Sequence, residues 1–266
     1  MSVRVLNSRL FTSMPNILIV GAASGIGKEF VRAFVKKPGN YVIAVDKNFP
    51  QPSISPDSMM ETYLKAIDSK VEGVLCLHAI DITNDADILT LSNLCSEPLD
   101  ILIQSAGVRG LAPSFHITQS SDVAKAETLN VTTAQTMRST FEVNTVGSFL
   151  LLQAMVPKLR PSGQAKVIIM GSRMGSIGHN TAGGAYAYRA SKAALNAIVK
   201  SFAIDVPEAI FTVVHPGRVE SGLVSVKEDG AISAEESVGD MMKFIDGMGK
   251  EHSGRFFDRF GGMVPW

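Results

Sequence analysis

The chain has 266 residues, which is enough for one large α/β domain and too few for two. Its 25 lysines and arginines balance its 25 aspartates and glutamates, so it offers no basic surface to nucleic acid or to an anionic membrane. No apolar run reaches the roughly 20 residues of a membrane-spanning helix. We therefore expect a cytoplasmic protein with a small-molecule substrate and without a nucleic-acid or membrane partner.

Residues 1–15 contain two arginines, three serines, one threonine and no acid. This composition is typical both of short organellar presequences and of unstructured segments before a first strand. We expect a flexible lead-in, with organellar import as the alternative, followed by a single domain over residues 16–266. Cys76 and Cys95 lie within apolar or helical patterns, which indicates buried thiols in a reducing compartment rather than a disulfide.

The first predicted strand, 17–20, is a continuous apolar run, as expected for a strand buried on both faces of a parallel sheet. It leads through a glycine cluster into a helix predicted over 28–35. A pyrophosphate needs backbone N–H groups at the positive end of a helix, and larger side chains there would hold it away. The spacing Gly-x-x-x-Gly-x-Gly is a variant of the dinucleotide loop, although a bare glycine turn is the alternative. The residues predicted to bind the cofactor here are Gly21, Ala23, Ser24, Gly25, Ile26 and Gly27.

A second strand is predicted over 41–45, and Asp46 follows it. A carboxylate at this strand tip would accept hydrogen bonds from the adenine-side ribose hydroxyls and repel a 2′-phosphate, which favours NAD(H) as the cofactor. Lys47 comes next and could pair with a 2′-phosphate, so NADP(H) remains open. The competing role for Asp46 is that of a strand-end cap.

The third and fourth strands are predicted over 74–80 and 99–103. Asp81 and Ile82 follow the third strand, where an adenine edge would lie. The next residues, Thr83-Asn84-Asp85, are typical of a helix cap for 86–94, and both roles can hold together. The fourth strand opens into small residues that let the backbone approach the cofactor, namely Ser105, Ala106 and Gly107. The polar stretch 108–139 is predicted to be partly loop, and its Arg109 and His116 are interpreted as surface residues.

A long apolar helix is predicted over 147–159, shortly after Asn144, and a fifth strand over 166–170. Ser172 lies beyond the tip of that strand, in the crevice where parallel sheets bind ligands. A further helix contains Tyr188 and Lys192, a sixth strand is predicted over 210–214, and a final edge strand over 254–258. These alternations predict an α/β protein with a single-domain Rossmann fold, a doubly wound and mainly parallel sheet of about seven strands with helices on both faces.

Tyr188 and Lys192 are four residues apart and therefore share one face of their helix. A nearby cation favours phenolate and moves the pKa of a tyrosine toward the neutral range. A tyrosine tuned in this way is the general acid and base that carbonyl reduction requires. Tyr186 is a rival, but it lies on another face of the helix.

The motifs occur together in an order that resembles the short-chain dehydrogenase/reductase family, from about residue 16 to residue 266. Within that family, residues 172–177 and the end of the chain look like the carbonyl reductases and signalling proteins related to sniffer and C-factor. The motifs are the glycine cluster, Asp81-Ile82-Thr83, Ala106-Gly107, Asn144, Ser172, Tyr188-x-x-x-Lys192 and Pro216-Gly217.

The resemblance implies a role for each matching residue. Tyr188 would be the acid/base, Lys192 would lower its pKa and hold the nicotinamide ribose, and Ser172 would hydrogen-bond the substrate oxygen. Asn144 would anchor a water that relays protons. The remaining cofactor contacts would come from Pro216, Gly217, Val219 and Ser221, with Ser221 holding the nicotinamide carboxamide.

Two features depart from the family pattern. Gln104-Ser105 replaces the usual asparagine pair, and the gap between Ser172 and Tyr188 is long, with residues 178–184 filling it. The resemblance also implies a homodimer or homotetramer that packs through the apolar helices 141–159 and 190–203. No metal is expected, and residues 218–236 should cap the substrate pocket.

Three functions fit these observations. The favoured one is an NAD(P)(H)-dependent oxidoreductase that interconverts a ketone or aldehyde and an alcohol. All four catalytic residues that the resemblance implies are present, namely Asn144, Ser172, Tyr188 and Lys192. The second is a cofactor-bound signalling or scaffold protein with little turnover. The third is an enzyme of the same fold that isomerises or cyclises a secondary metabolite.

Overall fold

A computed structural model of the chain describes residues 14–49, 56–67 and 69–266. Most of the predicted lead-in, residues 1–13, lies outside the described residues, so that prediction and the domain boundary stay predictions. Within the described part, seven strands form one sheet in the order β3-β2-β1-β4-β5-β6-β7, and all neighbouring strands are parallel. Helices cover both faces, which confirms the predicted doubly wound α/β fold.

The strands and helices alternate along the chain. The strands are β1 (Asn16–Val20), β2 (Tyr41–Val45), β3 (Val74–His78), β4 (Ile101–Gln104), β5 (Lys166–Met170), β6 (Ile210–His215) and β7 (Arg255–Asp258). The helices are α1 (Gly25–Val35), α2 (Pro56–Ile67), α3 (Asp85–Leu94), α4 (Ser120–Lys125), α5 (Ala134–Phe141), α6 (Ser148–Leu159), α7 (Tyr186–Asp205) and α8 (Ala234–Asp246). None of the helices in the described residues is long and apolar enough to cross a membrane.

The helices on both faces of the sheet explain why the strands are mainly apolar. Along β1, Leu18 and Val20 face a core cluster that includes residues of α3, α6 and α7, whereas Ile17 and Ile19 face a second cluster that includes residues of α1, α2 and α8. Successive side chains of a strand point to opposite faces, and here both faces are covered. A continuous apolar run is therefore the pattern that this sheet requires.

The direction of winding reverses at β1. The chain leaves β1 toward β2 and β3 on one side and returns to place β4 on the other side. In open parallel sheets such a reversal leaves a crevice beyond the carboxyl ends of the two central strands, because the connections diverge there. The segments that follow β1 and β4 meet at this point: Ser105 donates its backbone N–H to the Val20 carbonyl at 2.9 Å.

Several element boundaries differ from the prediction. α1 begins at Gly25 rather than at residue 28, and the stretch predicted to be partly loop contains α4 and α5. The helix predicted over 147–159 is the end of a longer helical run in which a π-helical turn, Glu142–Gly147, joins α5 to α6. That turn places Asn144 within a helix, whereas the sequence pattern predicted that Asn144 would precede the helix.

The core makes a first testable prediction. Leu102 is fully buried in β4, and its truncation to alanine would leave a cavity that the packed sheet cannot fill. We expect Leu102→Ala to lower the free energy of unfolding by about 2–5 kcal/mol. Leu89 in α3 is 64% exposed, so Leu89→Ala should cost less than about 0.5 kcal/mol. Urea denaturation of both variants measures the difference, and equal losses would contradict this description of the core.

Candidate active site

The carboxyl ends of the central strands border a cleft, here called the strand-end cleft, that gathers most of the predicted cofactor-binding residues. The predicted residues that line it are Gly21, Ser24, Ile26, Gly27, Asp46, Lys47, Asp81, Ile82, Ser105, Ala106, Gly107, Tyr188, Lys192, Pro216 and Ser221. An adjoining substrate-side cavity is lined by Ser172, Gly217 and Val219 and shares Tyr188, Pro216 and Ser221 with the cleft. Among the predicted site residues, Ala23, Gly25 and Asn144 line neither space, although all three hold neighbouring segments in place.

The glycine turn after β1 allows very close backbone contacts. A Cβ atom on Gly27 would lie 2.1 Å from the Gly21 carbonyl oxygen, and one on Gly25 would lie 2.5 Å from the Ser221 carbonyl oxygen. Ser24 is the N-cap of α1 but makes no side-chain hydrogen bond to the first turn of that helix. The helix start therefore presents uncapped N–H groups to the cleft, which is the arrangement that binds a pyrophosphate. A dinucleotide fits this part of the site.

Asp46 ends β2 and holds the glycine turn. Its buried carboxylate accepts a hydrogen bond from the backbone N–H of Ala23 at 3.0 Å and another from Asn48 at 2.8 Å. The predicted capping role is therefore present in the structure. Each carboxylate oxygen has a second lone pair, so Asp46 can still accept a hydrogen bond from a ligand in the cleft.

Asp81 follows β3 and is likewise held by its own turn. The carboxylate accepts hydrogen bonds from the backbone N–H and the hydroxyl of Thr83, at 2.9 and 2.7 Å. Burial raises the pKa of Asp81, but the hydrogen bonds from Thr83 and the charge of Lys47 outweigh burial and leave the pKa below its usual value. The predicted helix cap is confirmed at Asn84, whose side chain accepts from the first N–H groups of α3.

The unusual residues at the end of β4 are satisfied internally. The Gln104 side chain donates to the Ser148 hydroxyl at 2.8 Å and accepts from the backbone N–H of Ala106 at 3.1 Å. The Ser105 hydroxyl donates to the Val20 carbonyl at 2.7 Å. Gln104 and Ser105, which replace the asparagine pair, thus link β4 to α6 and to β1 without closing the cleft.

Asn144 connects the segment after β4 to α7. Its side-chain oxygen accepts from the backbone N–H of Val108 at 2.8 Å, and its nitrogen donates to the Val108 carbonyl at 2.9 Å and to the Ser191 hydroxyl at 3.0 Å. The residue is fully buried. Its side chain is therefore occupied by structural hydrogen bonds, and the predicted anchoring of a water stays a prediction.

Tyr188 and Lys192 lie in the first turns of α7, and both side chains are buried. The Lys192 ammonium lies 5.8 Å from the centroid of the Tyr188 ring and donates a hydrogen bond to the Met170 carbonyl at 2.9 Å. Burial lowers the pKa of Lys192 to about 8. Tyr186 is 41% exposed, in agreement with the prediction that it occupies another face of the helix.

Burial also raises the pKa of Tyr188, and two neighbours oppose that shift. The charge of Arg109 lowers the pKa of Tyr188 most, and a hydrogen bond with Ser172 lowers it further. The predicted cation was Lys192, but the cation with the largest lowering effect is Arg109, whose guanidinium lies 4.9 Å from the ring centroid.

The interpretation of Arg109 as a surface residue is wrong, because its side chain is only 14% exposed and is paired with Glu127. The signal in the sequence was its position two residues after Gly107, next to the predicted cleft. His116 is exposed, as expected.

The predicted capping segment 218–236 covers the site. Val219 pairs with Ile232 in a short bridge, and the backbone of Ser221 packs over the glycine turn at Gly25. Leu223 and Val224 line the substrate-side cavity together with charged residues, including Glu228 from the same segment. The cavity therefore offers both apolar and charged contacts.

This sheet, glycine turn and buried tyrosine–lysine pair define a Rossmann-fold oxidoreductase that uses a nicotinamide cofactor. The family model for short chain dehydrogenase matches residues 15–231, and the chain belongs to that family of NAD(P)-dependent oxidoreductases. The predicted resemblance is thereby confirmed.

Known relatives agree with this assignment. The C-signal of Myxococcus xanthus is 42% identical over 177 residues, which cover 66% of this chain and 97% of that protein. The 1-hydroxy-2-glutathionyl-2-methyl-3-butene dehydrogenase of Rhodococcus sp. (strain AD45) is 29% identical over 260 residues, or 95% of this chain and 100% of that protein. The solved structure of the carbonyl reductase Sniffer of D. melanogaster matches with a TM-score of 0.74 and 26% identity, over 95% of this chain and 100% of that chain.

The lowered pKa of Lys192 leads to a prediction about how the free energy of unfolding depends on pH. A lysine titrates near 10.5 in the unfolded chain, whereas Lys192 titrates near 8 in the folded protein. Between these values the unfolded state binds more protons, so the contribution of Lys192 to the free energy of unfolding should rise with pH. We expect this rise in the wild type and its loss in Lys192→Met, measured by urea denaturation without cofactor. Lys200→Met, which replaces an exposed lysine of α7, is the control, and an unchanged slope in Lys192→Met would contradict the prediction.

Proposed function

We propose that the protein interconverts a carbonyl group of a ketone or aldehyde and the corresponding alcohol, with NAD(P)(H) as cofactor and Tyr188 as acid/base. The observation that supports this proposal best is the position of Tyr188, which lines both the strand-end cleft and the substrate-side cavity. A proton donor at this junction can reach a substrate oxygen while the carbon of the same group faces the cofactor.

The residues around Tyr188 suit this chemistry. When bound, the nicotinamide group supplies or accepts the hydride. The hydroxyl of Ser172, which lines the substrate-side cavity, would donate a hydrogen bond to the substrate oxygen as negative charge develops on it. Tyr188 would transfer a proton to that oxygen in reduction and remove it in oxidation. Because the pKa of Tyr188 is raised, the phenol is held in its protonated form, which favours its use as an acid in carbonyl reduction.

We further propose a preference for NAD(H). Asp46 places a carboxylate at the end of β2 within the strand-end cleft, where it would accept from ribose hydroxyls and repel a 2′-phosphate. Lys47 also lines the cleft and provides a positive charge that would let NADP(H) bind, so the preference should be partial.

A second candidate is a signalling protein with little turnover. It is favoured by one observation, namely that the relative with 42% identity is called C-signal. Ser172, Tyr188 and Lys192 nevertheless line the cleft or the cavity, and Asn144 is hydrogen-bonded to Val108 at the edge of the cleft, which supports turnover. A third candidate, an isomerising or cyclising enzyme, would form product without net oxidation of the cofactor.

We also propose self-association through the outer faces of α6 and α7, where Phe149 and Ile204 remain exposed.

The acid/base role is tested by Tyr188→Phe, which removes only the phenolic oxygen. We expect turnover to fall roughly 10²- to 10⁴-fold while the cofactor still binds. The assay follows the absorbance of reduced nicotinamide with NADH and with NADPH against a panel of ketones and aldehydes. Tyr186→Phe, two residues earlier and exposed, is the matched control and should be as active as the wild type.

Three results would count against the proposal. Unchanged turnover in Tyr188→Phe would exclude the acid/base role. Cofactor binding without turnover of any compound would favour the signalling protein. Product formation without net oxidation of the cofactor would favour the isomerising or cyclising enzyme.

The cofactor preference is tested by Asp46→Asn. The amide keeps one hydrogen-bond acceptor for the glycine turn and removes the negative charge. We expect kcat/KM with NADH to fall roughly tenfold, the equivalent of one lost hydrogen bond to a charged group at about 1.5 kcal/mol, while kcat/KM with NADPH rises. Lys47→Gln should lower kcat/KM with NADPH more than with NADH. Identical cofactor ratios in the wild type and Asp46→Asn would argue against a role of Asp46 in selection.

A further inference from the structure

Arg109 and Glu127 form a buried ion pair beside the active site. The guanidinium of Arg109 donates from Nε to Glu127 Oε2 and from Nη2 to Glu127 Oε1, both at 2.8 Å. The two side chains are only 14% and 8% exposed. Burying a single charge would cost much free energy. A bidentate ion pair between an arginine and a carboxylate offsets that cost.

Both partners are anchored to the helices that frame Tyr188. On one side of Arg109, both backbone groups of Val108 are bound by Asn144. On the other side, Gly110 has a positive φ of 74°, and a Cβ there would lie 2.4 Å from the Thr140 hydroxyl oxygen. The segment that carries Arg109 therefore packs tightly against α5 and the π-helical turn.

Glu127 is anchored in turn to the beginning of α7. Its backbone carbonyl accepts a hydrogen bond at 2.8 Å from the N–H of Ala185, the residue before that helix. Ala185 has a positive φ of 49°, the only such value among non-glycine residues of the described chain. The ion pair is thus joined to α7 in two ways. The Glu127 carbonyl binds the backbone of Ala185, and the Arg109 side chain lies against the Tyr188 ring.

The pair places a cation on the ring of the proposed acid/base. The guanidinium carbon of Arg109 lies 4.9 Å from the Tyr188 centroid, nearer than the Lys192 ammonium at 5.8 Å. Other charges also face this phenol: Glu127 follows α4, and Glu228 comes from the capping segment. Beyond them, Arg173, Arg218 and His215 line the same substrate-side cavity.

We propose that Arg109 is a positioning residue for Tyr188, in which Glu127 holds the guanidinium against the phenol ring so that its positive charge stabilises the phenolate. The proposal rests on the proposed function, because it matters only if Tyr188 exchanges a proton. Its physical reason is the burial of the phenol, which disfavours the charged form unless a cation is near. Burial raises the pKa of Tyr188, and the charge of Arg109 lowers it. Contact of a cation with an aromatic face is itself favourable.

Direct titration of Tyr188 tests the proposal without any substrate. The sequence has only four tyrosines, so NMR of protein labelled with carbon-13 at the tyrosine ring gives four signals, and Tyr188→Phe assigns the relevant one. In Arg109→Gln, the fraction of phenolate at a fixed alkaline pH below the unfolding transition should be lower than in the wild type. Arg109→Lys, which keeps the positive charge, should restore part of it.

Two further variants keep the test decisive. Arg109→Gln leaves Glu127 unpaired, so the double variant Arg109→Gln/Glu127→Gln replaces the ion pair by a neutral hydrogen-bonded pair that should fold more readily. It should also show a reduced phenolate fraction, because the effect of Arg109 on Tyr188 exceeds that of Glu127. Arg32→Gln is the control, since Arg32 pairs with Glu29 in α1 and with Glu235 in α8 and is not among the charges that shift the pKa of Tyr188.

A wild-type titration in both Arg109→Gln and the double variant Arg109→Gln/Glu127→Gln would overturn the proposal. The same titration accompanied by a higher KM, with a carbonyl substrate from the panel, would instead assign Arg109 to substrate binding. Failure of the proposed function is distinguishable from these outcomes, because it would leave turnover intact in Tyr188→Phe whatever the NMR titration shows.

Discussion

The geometry of the active site depends on the hydrogen bonds of the buried Asn144 side chain. Its three hydrogen bonds join Val108, in the segment after β4, to Ser191 in α7. Because the amide is fully buried, a lost partner would leave a polar group without water to replace it. The π-helical turn around Asn144 inserts this amide between the two segments, and such turns often occur at functional sites.

Burial shifts the pKa values of the groups that Asn144 helps to bring together. It raises the pKa of Tyr188 and lowers the pKa of Lys192 to about 8, so in both cases it favours the neutral form. The site compensates with a third ionisable group, since the charge of Arg109 lowers the pKa of Tyr188. Arg109 can be buried there because Glu127 neutralises it.

Membership of the short chain dehydrogenase family accounts for the parts of the site that belong to the fold itself. The glycine turn, the reversal of winding at β1 and the cleft beyond the strands come from the sheet order. The substrate-side cavity is bordered instead by the segment after β4 and by the capping segment, which the fold does not specify. Relatives with names as different as C-signal and 1-hydroxy-2-glutathionyl-2-methyl-3-butene dehydrogenase can therefore share one scaffold.

The strands, the glycine turn and the shared helix face of Tyr188 and Lys192 could all be predicted from the sequence. These features depend on local patterns, namely apolar runs, residue size and helical spacing, which the chain displays without its neighbours. The burial of Arg109 and its contact with Tyr188 depend on tertiary contacts, because the partner Glu127 lies 18 residues away and the tyrosine ring belongs to α7. Only the tertiary structure decided that Asp46 holds the backbone of Ala23 and that Lys192 binds the Met170 carbonyl. A polar side chain is buried or exposed according to the partners that distant segments supply, and no periodicity in the sequence reports those partners.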